Sequence, residues 1–202
     1  MPFEIALPSD SPDDAKKIRA LRGAMTAFFS YGYQRTSMDD IAKAAGMSRP
    51  ALYLLFKNKA DIFQAGAERV FQRSAMRLEE VLNGPGSFSE RVFQSVDQGM
   101  IAMMAKMNAS PHGAELIDMK NDVAGGLLQA WHGKSVALFQ KAIEVEVRAS
   151  GVDLAARGLT SHVLAELLVD GLEGVKHRVA DVETQRTALR QLIRVIELAL
   201  KK

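Results

Sequence analysis

Two helix-capping residues and one glycine lie within the twelve residues from Ser37 to Ser48, and they limit this stretch to two short helices joined by a tight turn. The hydroxyl of Ser37 is placed to accept a hydrogen bond from the backbone N–H of Asp40, which predicts the start of one helix. Gly46 supplies the positive φ that ends this helix. Ser48 caps the next helix, and Pro50 falls in its first turn, where a missing N–H does no harm. The pattern is typical of a DNA-reading helix-turn-helix.

The rest of the sequence also has the periodicity of helices. Apolar residues from Ile18 to Phe28 recur at helical spacing, and Asn58 caps a helix that we expect over residues 59–82. The Asn-Gly-Pro-Gly-Ser run at residues 83–87 is the strongest helix breaker. No alternating strand pattern follows it, so we predict an all-α fold of about nine helices.

The amino-acid composition excludes several kinds of site and indicates where the charge of the chain lies. The chain has no cysteine, which excludes disulfides and thiolate metal sites. Its first residues are acidic and proline-containing, unlike a signal peptide, and no apolar run approaches the roughly 20 residues of a membrane span. We therefore expect a cytoplasmic protein. Residues 15–60 carry nine basic and two acidic side chains, whereas the whole chain has a net charge of only +2, so the positive charge is concentrated at one end.

The segment from Ile18 to Phe63 resembles the N-terminal domain of the TetR family of bacterial transcriptional regulators. The resemblance rests on Ala27-Phe28-Phe29, Gly32-Tyr33, Thr36, Asp40-Ile41-Ala42, Ala45-Gly46, Ser48, Leu52-Tyr53, Phe56, Lys59 and Ile62. It implies an N-terminal three-helix helix-turn-helix domain followed by a larger helical bundle for ligand binding and dimerisation. We accordingly divide the chain into a flexible tail (1–11), a DNA-binding domain (12–58) and an effector-binding and dimerisation domain (59–202), with helix 59–82 as connector.

Candidate DNA contacts follow from residue type and from the resemblance. Arg49 has the donors to reach a guanine edge, while Pro50 and Ala51 suit a thymine methyl. The family pattern implies that Tyr53, Lys57 and Lys59 contact the DNA backbone. We expect Ser37 and Ser48 to lie near phosphates, with Thr36 as a weaker candidate. Family members often carry histidine or tyrosine where this chain has Leu55, so we expect Leu55 to pack instead.

The one hint of a ligand pocket is a methionine stripe at helical spacing, formed by Met100, Met103, Met104 and Met107. Methionine side chains adapt their shape and are frequent at promiscuous apolar surfaces. The stripe either packs as helical core or lines a cavity for an apolar or aromatic effector. His112, beside Glu115 and Asp118, would orient a polar group of that ligand. The candidate pocket residues are Phe93, Met100, Met103, Met104, Met107, His112, Trp131 and Phe139.

A dimer interface is expected on the last two helices, because one short helix reads too few base pairs for useful specificity. Gly171 and Gly174 fall on one helical face, where a second backbone can approach closely. The resemblance implies a four-helix bundle formed by two subunits; the other interpretation is core within one chain. The candidate residues are Leu164, Leu168, Gly171, Gly174, Val175, Leu189, Leu192 and Ile196.

These observations favour a ligand-responsive regulator, more specifically a repressor. It would bind a palindromic DNA operator as a homodimer and be released by a small apolar or aromatic effector. The alternative is a helical small-molecule binding protein that has lost DNA reading. We expect no enzyme and no cofactor, because no nucleophile stands beside a base in a recognisable motif. Nor do the four histidines form a local pair that would hold a metal.

Overall fold

The computed structural model describes residues 12–123, 125–179 and 181–202, and over these residues the chain forms helices and no strand. The predicted all-α fold is therefore confirmed. The predicted tail, residues 1–11, lies outside the described residues. The α-helices are α1 (Pro12–Tyr31), α2 (Met38–Ala44), α3 (Arg49–Tyr53), α4 (Lys59–Leu82), α5 (Phe88–Val96), α6 (Ala102–Asn108), α7 (Gly113–Val123), α8 (Gly125–Ser150), α9 (Ser161–Arg178) and α10 (Val182–Ala199).

The starts of the short helices are set by local hydrogen bonds. Ser37 and Asp40 form a reciprocal capping box at α2, in which each side chain accepts from the other residue's backbone N–H. The hydroxyl of Ser48 accepts from the backbone N–H of Ala51 at the start of α3. The side-chain oxygen of Asn58 accepts a hydrogen bond from the backbone N–H of Asp61 at the start of α4. These caps make five- and seven-residue helices possible where intrinsic propensity alone is too weak.

The chain divides into two compact units. The first comprises the described residues up to Arg73 together with Lys106–Gln129, and the second comprises Ser74–Ala105 and Ala130–Lys202. This division differs from a boundary near residue 58, because α4 contributes residues to both units and α7 belongs to the first.

An aromatic cluster centres the core of the first unit. Phe28, Tyr33 and Phe63 have ring centroids 5.3 to 5.9 Å apart in tilted and edge-on arrangements. The fully buried Ile41 and Leu52 join α2 and α3 to this core. A Cβ atom built on Gly23 would lie 2.5 Å from the backbone nitrogen of Ala45, so a glycine is needed where α1 meets the end of α2.

Helix α7 is anchored in the first unit by a long-range contact. Leu116 is 1% exposed and belongs to the same core, and Glu115 accepts a 2.6 Å hydrogen bond from the backbone N–H of Gln34. Gly32 has a φ of 83°, and a Cβ there would lie 2.5 Å from Oε2 of Glu115. Gly32 therefore provides both the turn after α1 and the space for the Glu115 carboxylate.

The second unit has its own apolar core, formed by parts of α4, α5, α8, α9 and α10 together with Ile101, Val152 and Leu154. Ion pairs of Arg186 with Asp97 (2.6 Å) and of Arg91 with Glu146 (2.8 Å) lie at the edge of this core. The sequence did not predict that residues Asp97–Ile101 form a π-helical turn between α5 and α6. Within the described part of the chain, no helix is both long and apolar enough to span a membrane.

Candidate nucleic-acid interface

Helix α3 buries one face and presents the other to solvent. Leu52 is fully buried, and Phe56, just beyond the helix, is 6% exposed. Arg49 and Pro50 at the leading end of α3 are exposed, and so is Tyr53 one turn later. The helix is thus held by its apolar face, while the side chains predicted to read DNA remain accessible.

Arg49 is oriented by two neighbours. Its Nη1 lies 3.3 Å from Oδ1 of Asp39 in α2, with both side chains at least half exposed. The guanidinium also lies over the ring of Tyr53, 5.5 Å from its centroid. The Tyr53 side chain and, to a smaller extent, the Asp39 carboxylate hold the pKa of Arg49 above its ordinary value. Asp39 thus competes with any further partner of Nη1, while the other donors of the guanidinium are not engaged by this carboxylate.

The two capping serines are exposed, but their hydroxyls already have partners. Ser37 Oγ donates to Oδ2 of Asp40 at 2.6 Å and accepts from the Asp40 backbone N–H. The hydrogen bond from this hydroxyl is the main cause that holds the pKa of Asp40 below its usual range. Both serines fix the helix starts, and their proximity to phosphates stays a prediction.

Two of the predicted phosphate contacts are corrected by the structure. Thr36 is only 2% exposed, and its hydroxyl donates to the carbonyl oxygen of Gly32 at 2.6 Å. Lys59 donates to the carbonyl oxygens of Tyr33, Gln34 and Thr36 at 2.9 to 3.1 Å. Because an ammonium group has three donors, this lysine is fully used in holding the turn between α1 and α2.

Leu55 packs as expected, and Lys57 is accessible, although its contact with the DNA backbone stays a prediction. The Lys57 side chain is exposed, while its backbone N–H donates to Asp61 at 2.9 Å. Leu55 is half-buried against the first core, which confirms that it packs. Ala51 is only partly exposed, so Pro50 is the more accessible of the two predicted thymine contacts.

One contact at this surface was missed by sequence reasoning, and one residue expected to point outward was not included among the candidate DNA contacts. Asp39 pairs with Arg49, which a helix-by-helix reading cannot show because the residues lie in different helices. Leu54 is 87% exposed directly after α3. Its spacing of four residues from Pro50 was the available signal, since residues so spaced share a helical face.

The predicted pocket residues are distributed over both units, and whether they line one pocket stays a prediction. Phe93, Met100, Trp131 and Phe139 belong to the second core, with Phe139 only 2% exposed, and Arg190 lies 4.4 Å from the Phe93 ring centroid. Met103 and Met104 are half-buried in α6.

The other two members of the set, Met107 and His112, belong to the first unit. Met107 packs against the first core. His112 lines a recess of about 350 Å³ with Ser30, Tyr31, Arg35 and Asp40.

Most of the predicted dimer residues are core residues of a single chain, which corrects that assignment. Leu164, Leu168, Val175, Leu189 and Ile196 are each at most 6% exposed. Leu192 is partly buried against the same core, and a Cβ on Gly171 would lie 2.7 Å from it. Gly174 alone has open space around it.

The exposed apolar side chains of the last two helices lie one or two positions away from those core residues. They are Val163 and Leu167 in α9 (37% and 52% exposed), and Val195 and Leu198 in α10 (63% and 53%).

The histidines make separate pairs with carboxylates. His132 lies 3.0 Å from Asp170, and His162 lies 3.3 Å from Glu166. Among the residues that the structure describes, no three histidine, aspartate or glutamate side chains come close enough to hold a metal ion.

The N-terminal part of the chain, which carries this surface, is similar in sequence to known bacterial regulators. Residues 20–65 match the sequence model of the bacterial regulatory proteins of the tetR family. The transcriptional repressor ComR of Escherichia coli (strain K12) is 40% identical over 63 residues, which are 31% of this chain and 30% of ComR. The chain thus spans less than a third of the length of that relative.

Solved structures resemble a much larger part of the chain. SmeT, the repressor of the multidrug efflux pump SmeDEF of Stenotrophomonas maltophilia, has a TM-score of 0.63 at 20% identity, over 89% of each chain. A complex of SmeT with triclosan has a TM-score of 0.59 at 22% identity, over 90% of this chain and 91% of SmeT. At such identity, the similarity concerns the fold.

Proposed function

We propose that this chain is a TetR-family, ligand-responsive repressor that binds a palindromic operator as a homodimer in the cytoplasm. The match of residues 20–65 to the family's sequence model supports the family assignment. The observation that carries the proposal is the exposed face of α3, where Arg49 and Tyr53 stand on a helix whose other face is buried. A short, rigidly held helix with an exposed arginine at its leading end suits the major groove.

A homodimer is supported by exposed apolar side chains on the two last helices. Val163, Leu167 and Gly174 lie at intervals of four and seven residues along α9, which places them on one face. Val195 and Leu198 form a comparable pair on α10. Two copies that meet through these faces would present two α3 helices to a palindrome, with half-sites about 34 Å apart.

The effector is proposed to be a small apolar or aromatic molecule that binds near the half-buried Met100, Met103 and Met104. The complex of SmeT with triclosan supports the idea, because triclosan belongs to that chemical class. Helix α4 is the proposed coupling element, since it carries residues of both units and begins at Lys59, which holds the α1–α2 turn. An effector that favours the non-binding state 100-fold supplies about 2.7 kcal/mol, enough to weaken a typical operator complex substantially.

Salt-dependent DNA binding is the test. Duplexes selected from a random pool by the full-length chain are titrated at several salt concentrations. We expect a linear fall of log affinity with log salt, because phosphate neutralisation releases counterions. Arg49→Ala should lower affinity for the selected duplex more than for random duplex. Equal losses on both would remove its base-reading role, and the absence of any salt-dependent binding would favour a ligand-binding protein without DNA reading.

A further inference from the structure

The exposed face of α3 has two edges of different chemistry. Arg49 and Tyr53, four residues apart, form a polar edge through their cation–π contact. Pro50 and Leu54 each follow one of these residues by one position. They are also four residues apart, and both are exposed. Because residues at this spacing stand above one another on a helix, Pro50 and Leu54 form an apolar edge beside the polar one.

The backbone around Leu54 is fixed, so its exposure is imposed by the fold. Its N–H donates to the carbonyl oxygen of Pro50 at 3.1 Å, which continues the helical turn. The next two backbone N–H groups, of Leu55 and Phe56, both donate to the carbonyl oxygen of Leu52 at 3.0 Å. Because Leu52 and Phe56 occupy the buried face of α3, Leu54 could turn inward only if α3 moved off the first core.

The exposure of Leu54 is unusual for a side chain of this type. A leucine that is 87% exposed loses the gain that burial would bring, and it has no donor for a phosphate oxygen. Its neighbourhood nevertheless suits DNA, because Arg49 and Lys57 are exposed on either side of it in sequence. An apolar side chain beside basic ones, on a helix of this kind, has one matching feature in a major groove, the C5 methyl group of thymine.

We propose that Leu54 is a specificity-determining residue that contacts a thymine methyl group in the operator, with Pro50 on the same edge. This inference rests on the proposed DNA-binding function. The polar edge reads a guanine through Arg49, while the apolar edge selects thymine at a neighbouring position. Leu54 therefore supplies base selectivity that a basic residue at the same place would not.

The experiment removes the methyl group from the DNA and the leucine from the protein independently. The probe is the duplex selected by the full-length wild-type chain, in which each thymine in turn is replaced by deoxyuridine. The variants are Leu54→Ala, Leu54→Met and, as a control, Met76→Ala, which removes another exposed apolar side chain in the second unit. Circular dichroism establishes that each variant is folded, and fluorescence anisotropy gives the dissociation constants.

We expect one or more deoxyuridine substitutions to weaken wild-type binding about fourfold, the effect of losing one buried methyl group. Leu54→Ala should bind the thymine and deoxyuridine duplexes equally at that position. Leu54→Met and Met76→Ala should keep the discrimination, because the first retains an apolar side chain and the second leaves α3 unchanged.

Two results would overturn the proposal. One is that wild-type binding is selective but insensitive to every deoxyuridine substitution. The other is that Leu54→Ala keeps the wild-type discrimination at the sensitive position, so that another residue makes the contact. Both leave the proposed DNA-binding function intact, whereas the failure of the wild-type chain to bind any duplex in a salt-dependent manner would end both.

Discussion

Nη1 of Arg49 lies 3.3 Å from Oδ1 of Asp39, so the best candidate for base reading is paired with a carboxylate from the neighbouring helix. This pair orients the guanidinium in the free protein. On the proposed operator the pair would oppose DNA binding, because Asp39 competes with DNA for the guanidinium and its carboxylate repels phosphates. The first prediction follows from this competition.

Asp39→Asn should bind both selected and random duplexes about twofold to fivefold more tightly, the range expected when one exposed ion pair no longer competes. Fluorescence anisotropy at low salt measures the change. Glu79→Gln is the control, because it changes the net charge equally and removes a similar exposed pair, with Lys141, in the second unit. Weaker binding by Asp39→Asn to the selected duplex alone would instead make Asp39 a positioning residue for Arg49.

Lys57 and Lys59 should give opposite results, although they lie two residues apart. Lys57→Ala should weaken binding to all duplexes and reduce the slope of log affinity against log salt by about 1, because an exposed ammonium group is lost. Lys59→Ala should leave that slope unchanged and lower the free energy of unfolding by about 2 kcal/mol, since three carbonyl oxygens lose a charged donor. Salt titrations and urea unfolding measure the two effects. A reduced salt slope for Lys59→Ala would restore the phosphate role that the resemblance implied.

These two lysines show why part of the interface was predictable and part was not. The caps at Ser37 and Ser48 and the turn at Gly46 depend on contacts within three or four residues, so they can be predicted from the sequence alone. The acceptors of Lys59 lie 23 to 26 residues earlier in the chain, and the bond from Gln34 to Glu115 spans 81 residues. A motif reports that a lysine stands at a position, whereas only the tertiary fold decides which oxygen atoms surround it.

The last two helices show a second limit of prediction from sequence. Periodicity predicted their apolar faces correctly, but it does not say which partner covers a face. Leu168 is fully buried within the chain, while the adjacent Leu167 is 52% exposed. Which apolar residues are covered within the chain and which stay exposed was visible only from the packing of α9 on α10.

Gly23→Ala should destabilise the first unit by about 3 kcal/mol, the upper range for overpacking. The added methyl group would meet the backbone nitrogen of Ala45 at 2.5 Å, and backbone atoms cannot rotate away as a side chain can. Gly133→Ala is the matched control, because it lies in helix α8 with no atom within 4 Å of the new Cβ. The control should gain up to about 1 kcal/mol from helix propensity. Equal unfolding midpoints for the two variants in urea would show that α1 and α2 are not packed this closely.

The capping box at α2 should make stability depend on pH. Hydrogen bonds from Ser37 lower the pKa of Asp40 in the folded state, so folding favours the ionised carboxylate. The stabilisation is complete above the unfolded pKa of about 3.9 and disappears as the pH falls through the lower folded value. Asp40→Asn should therefore be less stable than wild type at pH 7, and the difference should shrink below about pH 4. A difference in the free energy of unfolding that stays constant from pH 7 to pH 3 would contradict this account.

Leu167→Asp should convert the proposed homodimer into a monomer. Leu167 is 52% exposed on the α9 face that carries Val163 and Gly174, so the change leaves the intrachain core intact. In a dimer through this face the carboxylate would be buried without a partner, at a cost of about 3 kcal/mol or more, which raises the dimer dissociation constant roughly hundredfold. Val145→Asp introduces the same charge at a 47% exposed position of α8 and should leave assembly unchanged. Sedimentation at micromolar concentration gives the masses, and the monomer should also lose affinity for the full palindrome while a half-site duplex is bound as before. If Leu167→Asp still sediments as a dimer, the subunits meet through another surface, and the spacing of their two α3 helices would have to be derived from that surface instead.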